Sequence, residues 1–200
     1  MRVSSVIVSV LGVGLALVLS TDGGEAQETP LKDLKVGDVA PEFEGIADNG
    51  QSWNSRDGRN GKVLVVYFYP AAMTGGCTTQ ACLFRDNRTK LLDLGAEVVG
   101  VSGDRIANLK AFKGSNRLNF PLVSDTAGVI AQAFGVPTRE GGSITREVDG
   151  QEITLTRDVT ASRWTFIIGR DGRIVYKGTD VDPAGDTAAV IAAIEKLNRG

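Results

Sequence analysis

The 200-residue sequence contains no histidine and only two cysteines. Without an imidazole, the chain cannot build a serine–histidine or cysteine–histidine catalytic pair, a histidine-ligated zinc site or a histidine general base. Two thiols are also too few for a closed structural zinc site, which takes four ligands. We therefore expect chemistry that uses sulfur, hydroxyl, carboxylate or cationic groups, with no bound metal and no other cofactor.

The sequence also lacks an excess of either charge, with 22 basic and 24 acidic side chains. When residues 1–26 are set aside, Arg2, Asp22 and Glu25 go with them, so the counts become 21 and 22 and the net charge −1. A near-neutral surface of this kind does not attract polyanions. We therefore expect neither nucleic acid nor an anionic membrane surface as a partner.

The first 26 residues predict an export signal. Arg2 gives a short positive start, residues 3–19 are mostly apolar, and the small residues within 24–26 suit a cleavage site. An uncleaved anchor through residues 3–19 is the alternative, although this stretch is shorter than the usual span of about 20 residues. Both interpretations predict an exported protein, in the periplasm or another extracytoplasmic compartment.

The rest of the chain is predicted to consist of a polar linker, residues 27–35, and one domain, residues 36–200. A domain of this size buries enough surface to fold without a disulfide staple. Hydrophobic periodicity and turn residues predict strands at 62–69, 97–101, 121–123, 163–168 and 173–176, and a hairpin at 143–157 that turns at Asp149 and Gly150.

The same patterns predict four helices in the domain. One starts at Cys77 and ends before Gly95, one is capped by Asp104, and the others lie at 127–134 and 188–197. The order of elements predicts an α/β protein with a thioredoxin-like fold, in which a central mixed β-sheet is flanked by helices on both faces.

The two cysteines stand five residues apart, shortly after the predicted buried strand. Cys77 falls at the predicted helix start, where unpaired backbone N–H groups and the macrodipole stabilise a thiolate, so it is a candidate nucleophile. On one regular helix the Cα atoms of Cys77 and Cys82 would lie about 8.7 Å apart, whereas a disulfide allows at most about 6.8 Å. The pair can therefore bond only if the helix start unwinds. On these residues alone, a structural staple, a ligand pair and a catalytic couple all stay open.

The segment at 69–86 resembles the active-site stretch of the peroxiredoxins, in which Pro-x-x-x-Thr/Ser-x-x-Cys surrounds the reactive cysteine. Its Cys-Thr-x-x-Ala-Cys spacing is similar to that of the bacterioferritin-comigratory or peroxiredoxin Q branch. Further similarity runs from residues 36–43 to the C-terminal helix. One departure is Gly75, at a position where that branch commonly has proline.

The resemblance implies a thiol-dependent peroxidase. Cys77 would attack the peroxide and become a sulfenic acid, and Cys82 would resolve it as an intramolecular disulfide. The substrates would be hydrogen peroxide and organic hydroperoxides, and a thioredoxin-like protein would reduce the disulfide again. Because both thiols lie in one chain, the reaction needs no second subunit, and we expect a monomer.

Further residues receive roles from the resemblance. Thr74 is expected to bring its hydroxyl onto the reactive sulfur, Arg163 to point its guanidinium at that sulfur, and Pro70 to shape and shield the loop. Arg163 would otherwise be a solvated residue at a strand end. Gln80 and Arg85 are expected to bond to each other or to hold Arg163, unless they are ordinary surface residues.

Two alternatives use the same thiols. An exported thioredoxin-like thiol-disulfide oxidoreductase would act on protein disulfides, but such proteins generally have Cys-x-x-Cys spacing. A copper(I)-binding or redox-sensing module suits soft sulfur, but Met73 is the only other soft ligand after residue 26. The peroxidase is therefore the predicted function.

Overall fold

The computed structural model describes residues 32–148 and 150–199 of the chain. The predicted export signal and most of the predicted linker lie outside the described residues, as does Asp149 of the predicted hairpin turn. Within the described ranges, no helix is both long enough and apolar enough to cross a membrane.

The secondary structure follows the predicted order with additions at its start. The strands are β1 (Glu44–Ala47), β2 (Ser52–Asn54), β3 (Val63–Phe68), β4 (Ala96–Ser102), β5 (Leu122–Ser124), β6 (Thr138–Val148), β7 (Gln151–Ala161), β8 (Trp164–Ile168) and β9 (Ile174–Gly178). The helices are α1 (Ser55–Arg59), α2 (Gly75–Asp86), α3 (Arg88–Asp93), α4 (Ile106–Asn116), α5 (Val129–Ala133) and α6 (Asp186–Arg199).

Seven strands form one mixed sheet in the order β2-β1-β5-β4-β3-β8-β9. β3, β4 and β5 pair in parallel, and the other neighbours pair antiparallel. The predicted α/β class with a central mixed sheet is therefore confirmed.

The central strand β3 is buried along its whole length because both faces of the sheet are covered. Its odd-numbered side chains, such as Tyr67, join a cluster with Phe84 of α2 and Val190 of α6. Its even-numbered side chains, such as Phe68, join a second cluster with Phe134, directly after α5. Helices thus cover both faces of the sheet, as predicted.

The helix that carries the cysteines differs from its prediction at both ends. It begins at Gly75 with Thr74 as N-cap, two residues before the predicted start, and it ends at Asp86 rather than continuing toward Gly95. Asn87 separates it from α3, and the Asn87 side-chain amide donates to the carbonyl of Leu83 at 2.9 Å, which satisfies one open acceptor at the helix end.

The prediction that Asp104 caps α4 is wrong. Arg105 occupies the N-cap position, and the Asp104 carboxylate faces the interior with 1 % of the residue exposed. One of its oxygens accepts from the backbone N–H of Ala72 at 2.8 Å and from the hydroxyl of Ser102 at 3.0 Å. A buried carboxylate needs such donors, and here they tie the end of β4 to the loop after β3.

The predicted hairpin is present but longer than expected. β6 and β7 form a separate two-stranded sheet that extends the predicted 143–157 in both directions. β7 is attached to the main sheet where the Asp158 N–H donates to the carbonyl of Gly103 at 3.2 Å. The short elements β1, β2 and α1 had no sequence prediction.

The close approach of β7 requires glycine at position 103. A Cβ atom there would lie 2.1 Å from the carbonyl oxygen of Val159, a backbone atom that cannot turn aside. We predict that Gly103→Ala lowers the free energy of unfolding by about 1–3 kcal/mol. Gly114→Ala is the matched control, because nothing lies within 4 Å of its Cβ position in α4, and it should stabilise by about 0.5–1 kcal/mol. Urea unfolding measures both, and equal stability of the two variants would contradict the packing argument.

Candidate active site

Cys77 is the third residue of α2 and is buried, with 1 % of its surface exposed. It packs in the cluster that contains Tyr67 and Tyr69 of the β3 region. Its position in the first helical turn places it among backbone N–H groups without partners inside the helix, which stabilise negative charge on sulfur. Both cysteines are free thiols in the structure.

Arg163, directly before β8, lies against this thiol. Its Nη2 is 3.3 Å from the Cys77 sulfur and its Nη1 is 2.5 Å from Oε1 of Gln80. A Cβ on Gly76 would be 3.4 Å from the same Nη2, at the edge of ordinary van der Waals contact, so the first turn of α2 passes close to the guanidinium. Arg163 is therefore not a solvated strand-end residue.

Gln80 links Arg163 to a buried carboxyl that sequence reasoning missed. The Gln80 side chain is fully buried, and its Nε2 donates to Oδ2 of Asp186 at 2.6 Å. The hydroxyl of Thr165 donates to the same oxygen at 2.8 Å. Burial raises the pKa of Asp186, and these two donors oppose the rise. In the sequence, an acidic residue at the start of a helix is so common that nothing marked Asp186 as part of a site.

The loop between β3 and α2 is held by contacts that differ in part from the expected ones. The Thr74 hydroxyl donates to the carbonyl of Ala71 at 2.9 Å, rather than to the Cys77 sulfur. Pro70 is half-buried at the end of β3. Met73 has a positive φ of 62°, and its carbonyl accepts from Nε of Arg146 in β6 at 3.0 Å. The loop therefore depends on β6 as well as on Asp104.

Tyr67 and Tyr69 place two buried, uncharged phenol side chains beside Cys77. Both are fully buried, and their rings stack with centroids 5.4 Å apart. Burial raises the pKa of each phenol well above its usual range, and the nearby Cys77 raises it further. Neither phenol ionises near neutral pH, so neither competes with sulfur for the charge of Arg163.

Cys82 is half-buried and faces the end of α4. Its sulfur lies 3.8 Å from Oδ1 of Asn116, whose Nδ2 donates to the carbonyl of Phe112 at 3.0 Å and lies 3.6 Å from the sulfur of Met73. Arg85 does not reach Arg163 or Gln80. Its Nη1 donates instead to the backbone carbonyl of Asn116 at 2.5 Å.

The unbroken helix keeps the two thiols apart. Cys77 and Cys82 belong to one continuous α2, so their Cα atoms lie about 8.7 Å apart by helix geometry, beyond the reach of about 6.8 Å for a disulfide. A bond between them requires part of α2 to unwind. In the part of the chain that the structure describes, no cluster of three or more cysteine, aspartate and glutamate residues is arranged to hold a metal ion.

The side-chain amide of Asn116 contacts the sulfur of Cys82 in α2 and that of Met73 in the loop before it, so its removal should make the helix open more often, while the bond from Arg85 to the backbone carbonyl of Asn116 remains. We predict that Asn116→Ala lowers the opening free energy of α2 by about 1 kcal/mol, which corresponds to roughly fivefold faster amide exchange. Hydrogen–deuterium exchange of the α2 peptide tests this. Lys110→Ala on the exposed side of α4 is the control, and identical exchange in the two variants would rule out a holding role for Asn116.

The sequence of the chain is similar to those of known proteins. Residues 36–177 match the model of the AhpC/TSA family. Peroxiredoxin Bcp of Escherichia coli is 38% identical over 146 residues, which cover 73% of this chain and 86% of the relative. The chloroplastic peroxiredoxin Q of Triticum aestivum is 44% identical over 143 residues, which cover 72% of this chain and 58% of the relative.

Solved structures show the same similarity. Peroxidoxin BcpB of Mycobacterium tuberculosis superposes with a TM-score of 0.69 at 28% identity, over 82% of this chain and 98% of that one. The bacterioferritin comigratory protein of Xanthomonas campestris, whose alkyl peroxide reduction activity was studied in trapped intermediate and ligand complexes, superposes with a TM-score of 0.64 at 27% identity, with the same coverage.

Proposed function

Because the chain belongs to the AhpC/TSA family, as a peroxiredoxin of the Bcp and peroxiredoxin Q type and therefore a thiol-dependent peroxidase, we propose that Cys77 is its peroxidatic cysteine and Cys82 its resolving cysteine. The single observation that carries the assignment of Cys77 is the 3.3 Å contact between Nη2 of Arg163 and the Cys77 sulfur. A thiol in the first turn of a helix and beside a guanidinium is stabilised as the thiolate, the form that attacks peroxides.

The first step oxidises Cys77. Its thiolate attacks one oxygen of the peroxide, an S–O bond forms, the O–O bond breaks, and the electron pair leaves with the second oxygen. That oxygen takes up a proton and departs as water or an alcohol, and Cys77 is left as a sulfenic acid. The guanidinium of Arg163 and the N–H groups of the first turn of α2 lie where negative charge on the reacting oxygens needs donors.

The second step joins the two cysteines. The thiolate of Cys82 attacks the sulfenic sulfur, an S–S bond forms, the S–O bond breaks, and water leaves after protonation of the departing oxygen. The continuous α2 forbids this step in the folded form, so part of α2 unwinds before the disulfide forms. A thioredoxin-type dithiol then supplies two electrons by thiol–disulfide exchange and restores both thiols.

The substrate range of the proposal includes hydrogen peroxide and organic hydroperoxides. The alkyl peroxide reduction activity of the Xanthomonas campestris relative supports the second class. Because one chain carries both thiols, catalysis needs no partner subunit, and we propose that the protein works as a monomer. The disulfide oxidoreductase alternative is not favoured, since the curated relatives are peroxiredoxins.

Cysteine variants separate the two steps. We predict that reduced Cys77→Ser consumes no peroxide. Cys82→Ser should consume one equivalent and then stall, because its sulfenic acid has no thiol partner. Stopped-flow consumption of hydrogen peroxide, with mass spectrometry of the products, measures both. Turnover by Cys77→Ser with a thioredoxin-type reductant would contradict the assignment of Cys77, and sustained turnover by Cys82→Ser would contradict that of Cys82.

Removal of the cation tests the role of Arg163. We predict that Arg163→Met lowers the rate constant for the reaction with hydrogen peroxide by about 10²-fold, the loss typical for removal of one donor to a developing oxyanion. Arg139→Met, which removes an exposed arginine of β6, is the matched control. If the two variants reacted equally fast, the contact between Arg163 and Cys77 would have no catalytic role.

A further inference from the structure

We propose that Asp186 is a positioning residue for the chemistry of Cys77, because it fixes the orientation of the Gln80 amide that holds Arg163 against the sulfur. This inference deepens the proposed function and rests on it for the identity of Cys77 as the reacting group. Asp186 itself touches neither the thiol nor, in the proposed reaction, the substrate.

Three consecutive hydrogen bonds connect Asp186 to the reactive sulfur. Oδ2 of Asp186 accepts from Nε2 of Gln80 at 2.6 Å, and Oε1 of Gln80 accepts from Nη1 of Arg163 at 2.5 Å. Nη2 of the same guanidinium lies 3.3 Å from the sulfur of Cys77. The chain of contacts runs from α6 through α2 to the residue before β8.

The two ends of this chain allow only one orientation of Gln80. A side-chain amide has one donor end and one acceptor end, a guanidinium only donates, and a carboxylate only accepts. If Gln80 turned by 180°, its NH₂ group would face the guanidinium and its oxygen would face Asp186, and both contacts would become repulsive. Without Asp186, the amide would lose the acceptor that selects the orientation toward Arg163.

Asp186 is itself fixed in place. It is the first residue of α6, 4 % exposed, and its Oδ2 also accepts from the fully buried hydroxyl of Thr165 at 2.8 Å. The acceptor role of Oδ2 survives a proton on the other oxygen. An asparagine at this position would therefore keep the acceptor while losing the negative charge, which makes it the conservative variant.

Positioning and simple electrostatics predict opposite results. A negative charge near Cys77 disfavours the thiolate, so loss of that charge alone would make the thiol more reactive. Loss of the acceptor instead releases Gln80 and then Arg163, which makes the thiol less reactive. The sign of the change in reactivity therefore decides between the two effects.

The test measures alkylation of Cys77 by iodoacetamide in the full chain with Cys82→Ser, so that a single thiol reports. We predict that Asp186→Ala slows alkylation at neutral pH by roughly five- to tenfold, the loss expected for a weakened charge-assisted contact. At strongly alkaline pH the rate should match the parent, because the thiol is then ionised without help. Asp186→Asn should restore most of the rate at neutral pH.

Two comparisons exclude a merely structural effect. Thr187→Val is the matched control, since Thr187 is the neighbouring buried residue of α6 and its hydroxyl has no hydrogen-bond partner among the described residues. It should alkylate like the parent. In a Gln80→Ala background, Asp186→Ala should cause no further loss, because the effect of Asp186 passes through Gln80.

Faster alkylation of Asp186→Ala, an undiminished further loss in the Gln80→Ala background, or no rescue by Asp186→Asn would each overturn the inference. Alkylation requires no peroxide, so its result stands apart from the peroxidase assay. If the wild-type chain failed to consume peroxide, the proposed function would fail while the alkylation pattern still reported on the positioning of Arg163.

Discussion

The contact between Arg163 and Cys77 joins residues 86 positions apart, and the register of the central sheet brings them together. β3 and β8 pair antiparallel, with Phe68 opposite Trp164 at the end of β3 from which the chain turns toward α2. Arg163 therefore lies next to the loop that leads to Cys77. A slip of one residue would turn every side chain of β8 to the opposite face. The apolar packing that fixes this register thus also fixes the position of the charge beside the sulfur.

Gln80 places a neutral amide between the charged side chains of Arg163 and Asp186 in this buried site. A direct salt bridge between Arg163 and Asp186 would commit the guanidinium to the carboxylate, and less of its charge would then act on Cys77. With the neutral amide between them, Asp186 orients Arg163 through Gln80, and Nη2 is left for the sulfur. Placing the carboxyl one residue further from the thiol also weakens its opposition to the thiolate. The arrangement therefore obtains orientation from an acidic residue with little electrostatic cost.

Features that depend on residues close together in the sequence could be predicted, whereas features that depend on residues far apart in the sequence could not. The buried β3, the β8–β9 pair and α6 follow from local periodicity, and Cys77 and Arg163 from a motif and a resemblance. Asp104, Asn116 and Asp186 had no such signal, because their partners in the site lie 32, 34 and 106 positions away. A sequence pattern shows that an aspartate precedes a helix. It does not distinguish an aspartate that caps the helix from one that bonds to a residue far away in the sequence. The predicted direction of the Thr74 hydroxyl was wrong for a related reason. The partner of this hydroxyl depends on the turn made by Ala71 to Thr74 and not on the identity of the residues.

The proposed reaction sets opposite demands on α2, which must be folded to present Cys77 to Arg163 and partly unwound to let Cys82 reach Cys77. The two glycines at its start differ in the space around them. Gly76 lies in a tight space, because a Cβ there would lie 3.2 Å from the ring of Pro183 and 3.4 Å from Arg163, and the ring would have to shift by a few tenths of an ångström. Gly75 is exposed and nothing lies within 4 Å of its Cβ position, so packing does not require it.

The effect of Gly75 is therefore on the unwound state, where glycine has more conformational freedom than any other residue and lowers the free energy of opening by about 0.5–1 kcal/mol relative to alanine. The departure from the usual proline thus shifts the balance toward the step that joins the two cysteines, and the contacts that Cys82 and Arg85 of α2 make with Asn116 act in the opposite direction.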